Sequence, residues 1–334
     1  MVRRVFVPIA SIKGQCKKAG FHDYGLGVEA ALGQLEGLAA SAVRGLIDAD
    51  APPEPWSPDH QVLARFTVIQ RSRTLSAAED ADKMADRLFK VAYEEQAKRN
   101  GIDLSNYELR SRYPVAIPLS VAAQHVSIAM NLALHVFVNE TSEEFVTSDN
   151  PVIAHNQYCE GIDHRGVLGW DCSGIQIFFP VSPRYLFLLY DATVYALDTK
   201  HGRRTSRIVD VAEIRTINAF QIVTARENIY FRDAAMADPL LAQIERLASR
   251  RHRKRNVTVQ SHPVADGDGT SELIHQFERM VPLKLSLGGV RIKRSMRRIP
   301  LDRRAAMFRT PERAAGHGPD SSPLRYTGRR SFSD

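Results

Sequence analysis

Two glutamates are the first residues of the chain whose type and spacing suit chemistry. Glu29 and Glu36 are seven residues apart, which is two helical turns, so both lie on one face about 10.5 Å apart along the axis. Two carboxylates beside an apolar stripe suit a divalent cation or acid–base catalysis. The alternative is that they pair with an arginine of the next helix.

Arg73 is the natural partner for either glutamate, because guanidinium and carboxylate groups match bidentately. Gln70 lies one turn before it, on the same side of a predicted helix. A buried Arg–Glu pair would fix the register of two helices. Alternatively, Arg73 would bind a phosphate or carboxylate of a substrate. Glu29, Glu36 and Arg73 are therefore candidate catalytic residues, and Gln70 is a candidate substrate-binding residue.

The segment Thr-Ser-Asp-Asn-Pro at residues 147–151 follows a predicted short strand. Asp149 is a candidate catalytic residue, with Ser148 and Asn150 as candidate substrate-binding residues, because sites are commonly built at strand ends. Asp and Asn also form turns through bonds from side chain to backbone, so a turn is the alternative. Strand alternation predicts Asp149 at the floor of the main polar cleft, beside Glu29 or Glu36. His155 and His164 follow in a predicted exposed loop within reach of it.

Helical periodicity dominates the first half of the chain and strand-like segments the second. Helices are predicted over residues 24–50, 59–75, 77–99, with Ser76 as the cap of the third, and 120–138. Strands are predicted near 144–147, 175–179, 185–190, 193–197 and 229–231, with a helix returning over 212–225. This order indicates an α+β fold, in which an N-terminal helical layer packs on a mainly antiparallel sheet. We expect one domain over residues 1–240, with its helical part at about 15–140 and its strand-rich part at about 141–235.

Basic charge is concentrated at the end of the chain. Residues 246–334 carry 20 Lys or Arg against 8 Asp or Glu, whereas residues 1–245 carry 25 against 30. Residues 241–334 are therefore predicted to be a basic, partly disordered tail that is separable from the body, with a short helix near 271–280. A nucleic-acid partner would meet its densest basic run, made of Arg250, Arg251, Arg253, Lys254 and Arg255. A merely solvated extension is the alternative.

The three cysteines, Cys16, Cys159 and Cys172, form no C-x-x-C pair. Reduced thiols are the default, and the apolar stretches fall short of the roughly 18–20 residues of a membrane helix. A cytoplasmic protein without a membrane partner is therefore expected.

Phe145-Val-Thr-Ser-Asp-Asn-Pro-Val152 resembles the central signature of the Domain of Unknown Function 4238 family. Four other segments are similar to family segments in the same order: residues 24–36, 70–74, 179–183 and 217–218. The last places Asn218 in a family helix and makes it a candidate substrate-binding residue. The resemblance covers about residues 15–232. The family's usual His-Tyr-Val-Pro-Gln-like opening is not matched, since the chain opens on Met-Val-Arg-Arg-Val-Phe-Val-Pro, and a truncated or inactive member is one expectation.

Two functions stay open at this point. The resemblance implies an uncharacterised bacterial accessory protein, with phage defence as one setting. The first hypothesis is a metal-dependent hydrolase or nuclease-like effector, in which the carboxylates would hold a divalent cation that activates water. The second is a non-catalytic sensor or interaction protein whose ion pairs are structural. One open cleft around Glu29, Arg73 and Asp149 would favour the enzyme, and separate contacts would favour the second hypothesis.

Overall fold

The computed structural model describes residues 7, 27–162, 166–197, 203–250, 257–266, 269–305 and 307–309. The helices within these ranges are α1 (Val28–Ala49), α2 (Pro58–Ser72), α3 (Leu75–Arg99), α4 (Ala116–Ala129), α5 (Val211–Thr224), α6 (Ala237–Arg246), α7 (Arg294–Arg297) and α8 (Leu301–Arg304). The strands are β1 (Ala133–Asn139), β2 (Thr147–Ser148), β3 (Ile153–His155), β4 (Gln176–Pro180), β5 (Tyr185–Tyr190), β6 (Tyr195–Leu197), β7 (Thr205–Ile208), β8 (Ile229–Tyr230), β9 (Val257–Asp266), β10 (Gly269–Glu278) and β11 (Val290–Ile292).

The main sheet has five strands in the order β3-β4-β5-β1-β7. All neighbours are antiparallel except β1 and β7, which run parallel. The α+β class with a mainly antiparallel sheet is therefore confirmed. Short pairs β2–β8 and β6–β11 and the hairpin β9–β10 lie outside this sheet.

The central strand β1 corrects the prediction of one helix over residues 120–138. The helix ends at Ala129, and Ala133–Asn139 is a strand, six of whose seven residues are buried. A strand that is covered on both faces is apolar throughout and loses the alternation that would distinguish it from a buried helix. His135 therefore lies on a strand, not on the helix that carries His125.

Helices α1 and α2 cover one face of the sheet. Ser57 caps α2 by accepting the N–H of His60, and Pro58 occupies its first turn. Phe66 of α2 meets Phe179 of β4 with ring centroids 5.8 Å apart. The Tyr185 hydroxyl of β5 donates to Asp50, just beyond α1, at 3.2 Å. The expected helical layer on the sheet is thus present, and Thr74, not Ser76, caps α3.

The opposite face is covered by α5 and by a late segment of the chain. Phe220 of α5 lies against His155 of β3, with centroids 4.8 Å apart. Leu285, Leu287 and Val290 are buried in the same core as the sheet residues. The sheet therefore lies between two layers, and residues near 285–290 contribute to the core that the sheet shares with the second.

The expectation of a separable tail after residue 240 stays a prediction, but the described segment 279–309 packs on the body. The buried residues of that segment belong to the main core, and α6 itself crosses residue 240. The prediction of a helix near residues 271–280 is wrong, because Gly269–Glu278 forms strand β10. The other basic-run residues expected to bind nucleic acid, Arg251, Arg253, Lys254 and Arg255, lie outside the described residues, as does the end of the chain from 310.

Candidate functional site

The signature aspartate holds a loop. The Asp149 carboxylate accepts the backbone N–H groups of Arg226, Glu227 and Asn228 at 2.8, 2.7 and 3.0 Å. The N–H of Asp149 donates in turn to the carbonyl of Asn228 at 3.2 Å. These bonds fix residues 226–228 between α5 and β8, so Asp149 acts as the turn former that the sequence left as its alternative role.

Ser148 and Asn150 face helix α5 and the start of α3. The Ser148 hydroxyl donates to the side-chain oxygen of Gln221 at 2.7 Å, and the Gln221 amide donates to the carbonyl of Pro151 at 2.8 Å. The Asn150 amide donates to the Ser76 hydroxyl and to the Thr224 carbonyl, each at 2.9 Å. Both candidates are therefore engaged with other parts of the fold.

Asn218 completes this network one turn before Gln221. Its side-chain oxygen accepts the N–H of Val146 at 2.9 Å, and its amide donates to the carbonyl of Glu144 at 2.8 Å. Asn218 and Gln221 are both fully buried. Two side-chain amides thus bind the extended segment 144–151 as a neighbouring strand would, by pairing with its backbone.

Arg73 forms an ion pair with Glu36, one of the two glutamates that the sequence offered as its partners. Its Nε also donates to the Gln70 side-chain oxygen at 2.8 Å, and its guanidinium lies 6.0 Å from the centre of the Phe66 ring. The Glu36 side chain is 48% exposed and that of Arg73 18% exposed. The contact therefore joins α1 to the end of α2 at the surface, not in the core.

Glu29 lies exposed in the first turn of α1, where a carboxylate is favoured by the helix dipole. It is two turns from Glu36 on the same helix. The contacts described above form two groups, one around Arg73 and one around Asp149. A single cleft that would unite Asp149 with a glutamate stays a prediction.

The junction between α2 and α3 lies between the two groups. Arg73 is the residue that ends α2, and Ser76, three residues later, accepts the bond from Asn150. Neither the role of Ser76 as a partner nor the ion pair of Arg226 with Glu79 of α3 at 2.5 Å was predicted from the sequence. Gln221 was not predicted as a partner either, although Asn218 and Gln221 are two polar residues one turn apart beside the apolar residues Ile217 and Phe220, which was a signal.

Comparison with known proteins decides the family. A family model described as Protein of unknown function (DUF4238) matches residues 2–235. The chain belongs to this family. The match begins earlier than the expected residue 15 and ends close to the expected residue 232. No curated protein and no solved structure matches the chain significantly.

His155 of this DUF4238 chain is a buried strand residue, which corrects the expectation of an exposed loop histidine. Its Nε2 lies 2.6 Å from the Glu160 carboxylate, and the same carboxylate oxygen accepts the N–H of Leu285 at 2.8 Å. The pair therefore tethers the late segment 283–290 to the end of β3. His164 lies outside the described residues.

The described thiols of the DUF4238 chain are poor nucleophiles. Burial raises the pKa of Cys159 to about 11 and that of Cys172 to about 12. Both are therefore protonated at neutral pH, and the thiolate is the reactive form. Burial likewise lowers the pKa of His135 to about 4, with Arg204 adding to the effect, so its ring is neutral.

Over the ranges that the structure covers, no three His, Cys, Asp or Glu side chains form a group that could hold a metal ion. Within the same ranges, no helix is long and apolar enough to cross a membrane. The divalent cation stays a prediction.

Proposed function

We propose that this DUF4238 chain is a binding protein whose signature residues hold its parts together, rather than a hydrolase that uses them in catalysis. The observation that carries the proposal is the Asp149 carboxylate, which accepts three backbone N–H groups. Three of the roughly four acceptor positions of this carboxylate are therefore used by backbone donors of the protein itself.

The other candidates support the same conclusion. Asn218 and Gln221 bind the backbone of residues 144–151, and Asn150 bridges α3 and α5. Arg73 pairs with Glu36 across two helices. Each of these contacts connects elements that are distant in sequence, and such contacts stabilise the fold.

The competing function is the metal-dependent hydrolase, with phage defence as its setting. It would use Glu29, Glu36, Arg73 and Asp149, and it stays a hypothesis, as does the cytoplasmic location. The basic run that begins at Arg250 is proposed as a contact for nucleic acid. Arg250 itself is exposed and donates to the carbonyl of Pro282 at 3.2 Å.

One experiment separates the two functions. The purified full chain, with Mg²⁺ or Mn²⁺, is incubated with DNA, RNA and generic phosphodiester and ester substrates, beside the variants Glu36→Gln and Glu29→Gln. We expect that neither variant loses a cleavage activity that the unchanged chain has. Glu36→Gln is informative because its exposed position lets the fold tolerate the change.

Cleavage that requires the cation and is lost in Glu36→Gln or Glu29→Gln at an unchanged melting temperature would establish the hydrolase and refute the proposal. Glu54→Gln serves as the matched control, since Glu54 is an exposed glutamate that also pairs with an arginine, Arg204.

A further inference from the structure

A cluster of exposed arginines lies on the late segment that packs against the body. Residues 290–305 contain seven Lys or Arg and a single acidic residue, Asp302. Four of the arginines are named here the arginine surface, namely Arg294, Arg297, Arg298 and Arg303. Three are exposed positions of α7 and its end, and Arg303 is exposed on α8.

The arginine surface is held in place by the body. Strand β11 pairs with β6, Val290 is buried, and the N–H of Lys293 donates to the carbonyl of Val194 at 2.9 Å. The Lys293 ammonium donates to the carbonyl of Ala192 at 2.5 Å. The helix α7 therefore begins directly after an anchored strand.

A fifth arginine, Arg304, connects the two short helices to the body. The Arg304 guanidinium donates to the carbonyls of Tyr158 at 3.1 Å and Arg297 at 2.9 Å, and lies 4.5 Å from the centre of the Tyr158 ring. It thus ties α7 and α8 to each other and to the body. Its contacts are structural, and it is not part of the arginine surface.

The charge of the arginine surface is uncompensated in the part of the chain that the structure describes. None of Arg294, Arg297, Arg298 and Arg303 has an ion pair there, whereas the arginines at 71, 73, 110, 204, 207, 215 and 226 each have one. Arg294, Arg297 and Arg298 are spaced i, i+3 and i+4, so they share one side of a helical turn, with Cβ atoms about 5–6 Å apart. A fixed cluster of this kind suits a partner of high negative charge density.

We propose that the arginine surface binds the phosphate backbone of duplex DNA. A duplex carries about one negative charge per 1.7 Å of its axis, and each neutralised phosphate releases condensed counterions. Residues 290–305 contain no Phe, Tyr or Trp. Single strands are bound largely by stacking of bases on aromatic rings, so the composition favours a duplex.

The helical form of α7 favours DNA over duplex RNA. The major groove of B-form DNA admits a helix, whereas that of A-form RNA is too narrow for side chains to reach into. Contacts from arginines to phosphates position a protein without reading base sequence. The inference goes beyond the proposed function, because it names a surface and a partner that the signature residues do not supply.

The test compares two triple variants of the full chain. One removes three of the four arginines of the arginine surface, Arg294→Ala/Arg297→Ala/Arg298→Ala. The matched control removes three exposed arginines elsewhere, Arg44→Ala/Arg65→Ala/Arg99→Ala, which changes the net charge equally. Binding to a fluorescein-labelled 24-base-pair DNA duplex is measured by anisotropy at several salt concentrations, and melting temperatures confirm that both variants fold.

We expect the surface variant to bind at least about tenfold more weakly at 0.1 M salt, and the slope of log K against log salt to fall by about 2 to 3. The control should keep the affinity and slope of the unchanged chain. Equal losses in both variants would show that net charge, not this surface, is responsible, and unchanged binding by the surface variant would also overturn the proposal.

The remaining measurements test other binding partners for the arginine surface. Tighter binding to single-stranded DNA, to an RNA duplex, or to vesicles of anionic lipid than to the DNA duplex would overturn the proposal. So would the absence of duplex binding by the unchanged chain. None of these results bears on the hydrolysis assay, so failure here and failure of the proposed function are distinguishable.

Discussion

Replacing Asp149 by alanine is expected to destabilise the fold by about 2–4 kcal/mol, because three backbone N–H groups lose their acceptor. Asp149→Asn keeps one oxygen and should cost less. The matched control is Asp103→Ala, an exposed cap whose loss should destabilise the fold less. Urea denaturation measures all three, and equal midpoints for Asp149→Ala and Asp103→Ala would contradict the loop-holding role.

Arg73 gives a milder prediction than the sequence alone would suggest. A buried pair would cost about 3–5 kcal/mol to break, but this pair is partly exposed. We therefore expect Arg73→Ala to cost about 1–2 kcal/mol, still more than Arg99→Ala at under about 0.5 kcal/mol. Thermal denaturation of the two variants decides it, and the same melting temperature for both would show that the contact contributes nothing.

The buried neutral ring of His135 predicts loss of stability in acid. Its folded pKa of about 4 lies below the unfolded value near 6.5, so the unfolded chain binds more protons between these values. The stability that depends on the neutral ring of His135 is complete above pH 6.5 and is lost as the pH falls towards 4. The free energy of unfolding then changes with a limiting slope of about 1.4 kcal/mol per pH unit. His135→Asn should flatten the dependence of unfolding free energy on pH in this window. An unchanged profile would mean that other groups set it.

At the scale of elements, the two buried amides of α5 predict that it and the segment 144–151 are one unit. Asn218→Ala or Gln221→Ala should each cost about 2–3 kcal/mol, because backbone groups are left unpaired in the core. In Asn218→Ala the amide of Val146 should exchange with solvent faster. The control on the same helix is Arg215→Ala, which removes an exposed ion pair. Unchanged exchange at Val146 would show that the segment is held by other contacts.

How well the sequence predicted each element depended on whether its periodicity or its flanking residues gave a local signal. Helices α1 to α3 and strands β4 and β5 were predicted to within a few residues, because their periodicity or bounding prolines are local signals. Strand β1 was not, since both of its faces are buried and its pattern has no period. Arg73 and Glu36 could be paired from residue chemistry alone. The partner of Asp149 could not, because backbone N–H groups 77 residues away leave no trace in side-chain types.

At the scale of the whole molecule, the late segment makes a prediction about truncation. A chain that ends at Arg250 loses Leu285, Leu287 and Val290 from the core and should melt at least about 10 °C lower or fail to fold. The matched chain that ends at Arg309 keeps these residues and the contacts of Arg309 with the carbonyl of Trp170. Similar melting temperatures for both truncations would confirm that the tail is separable from the body.

The position of Leu285 in this core also determines when the core can be completed during synthesis of the chain. The sheet strand β5 ends at Tyr190, so about a hundred residues must still be made before Leu285 reaches the face that it covers. At about 5–20 residues per second, that interval is on the order of 5–20 s. The α5 side of the sheet stays incompletely covered on the ribosome throughout, which makes the nascent chain a client for chaperones until its last quarter emerges.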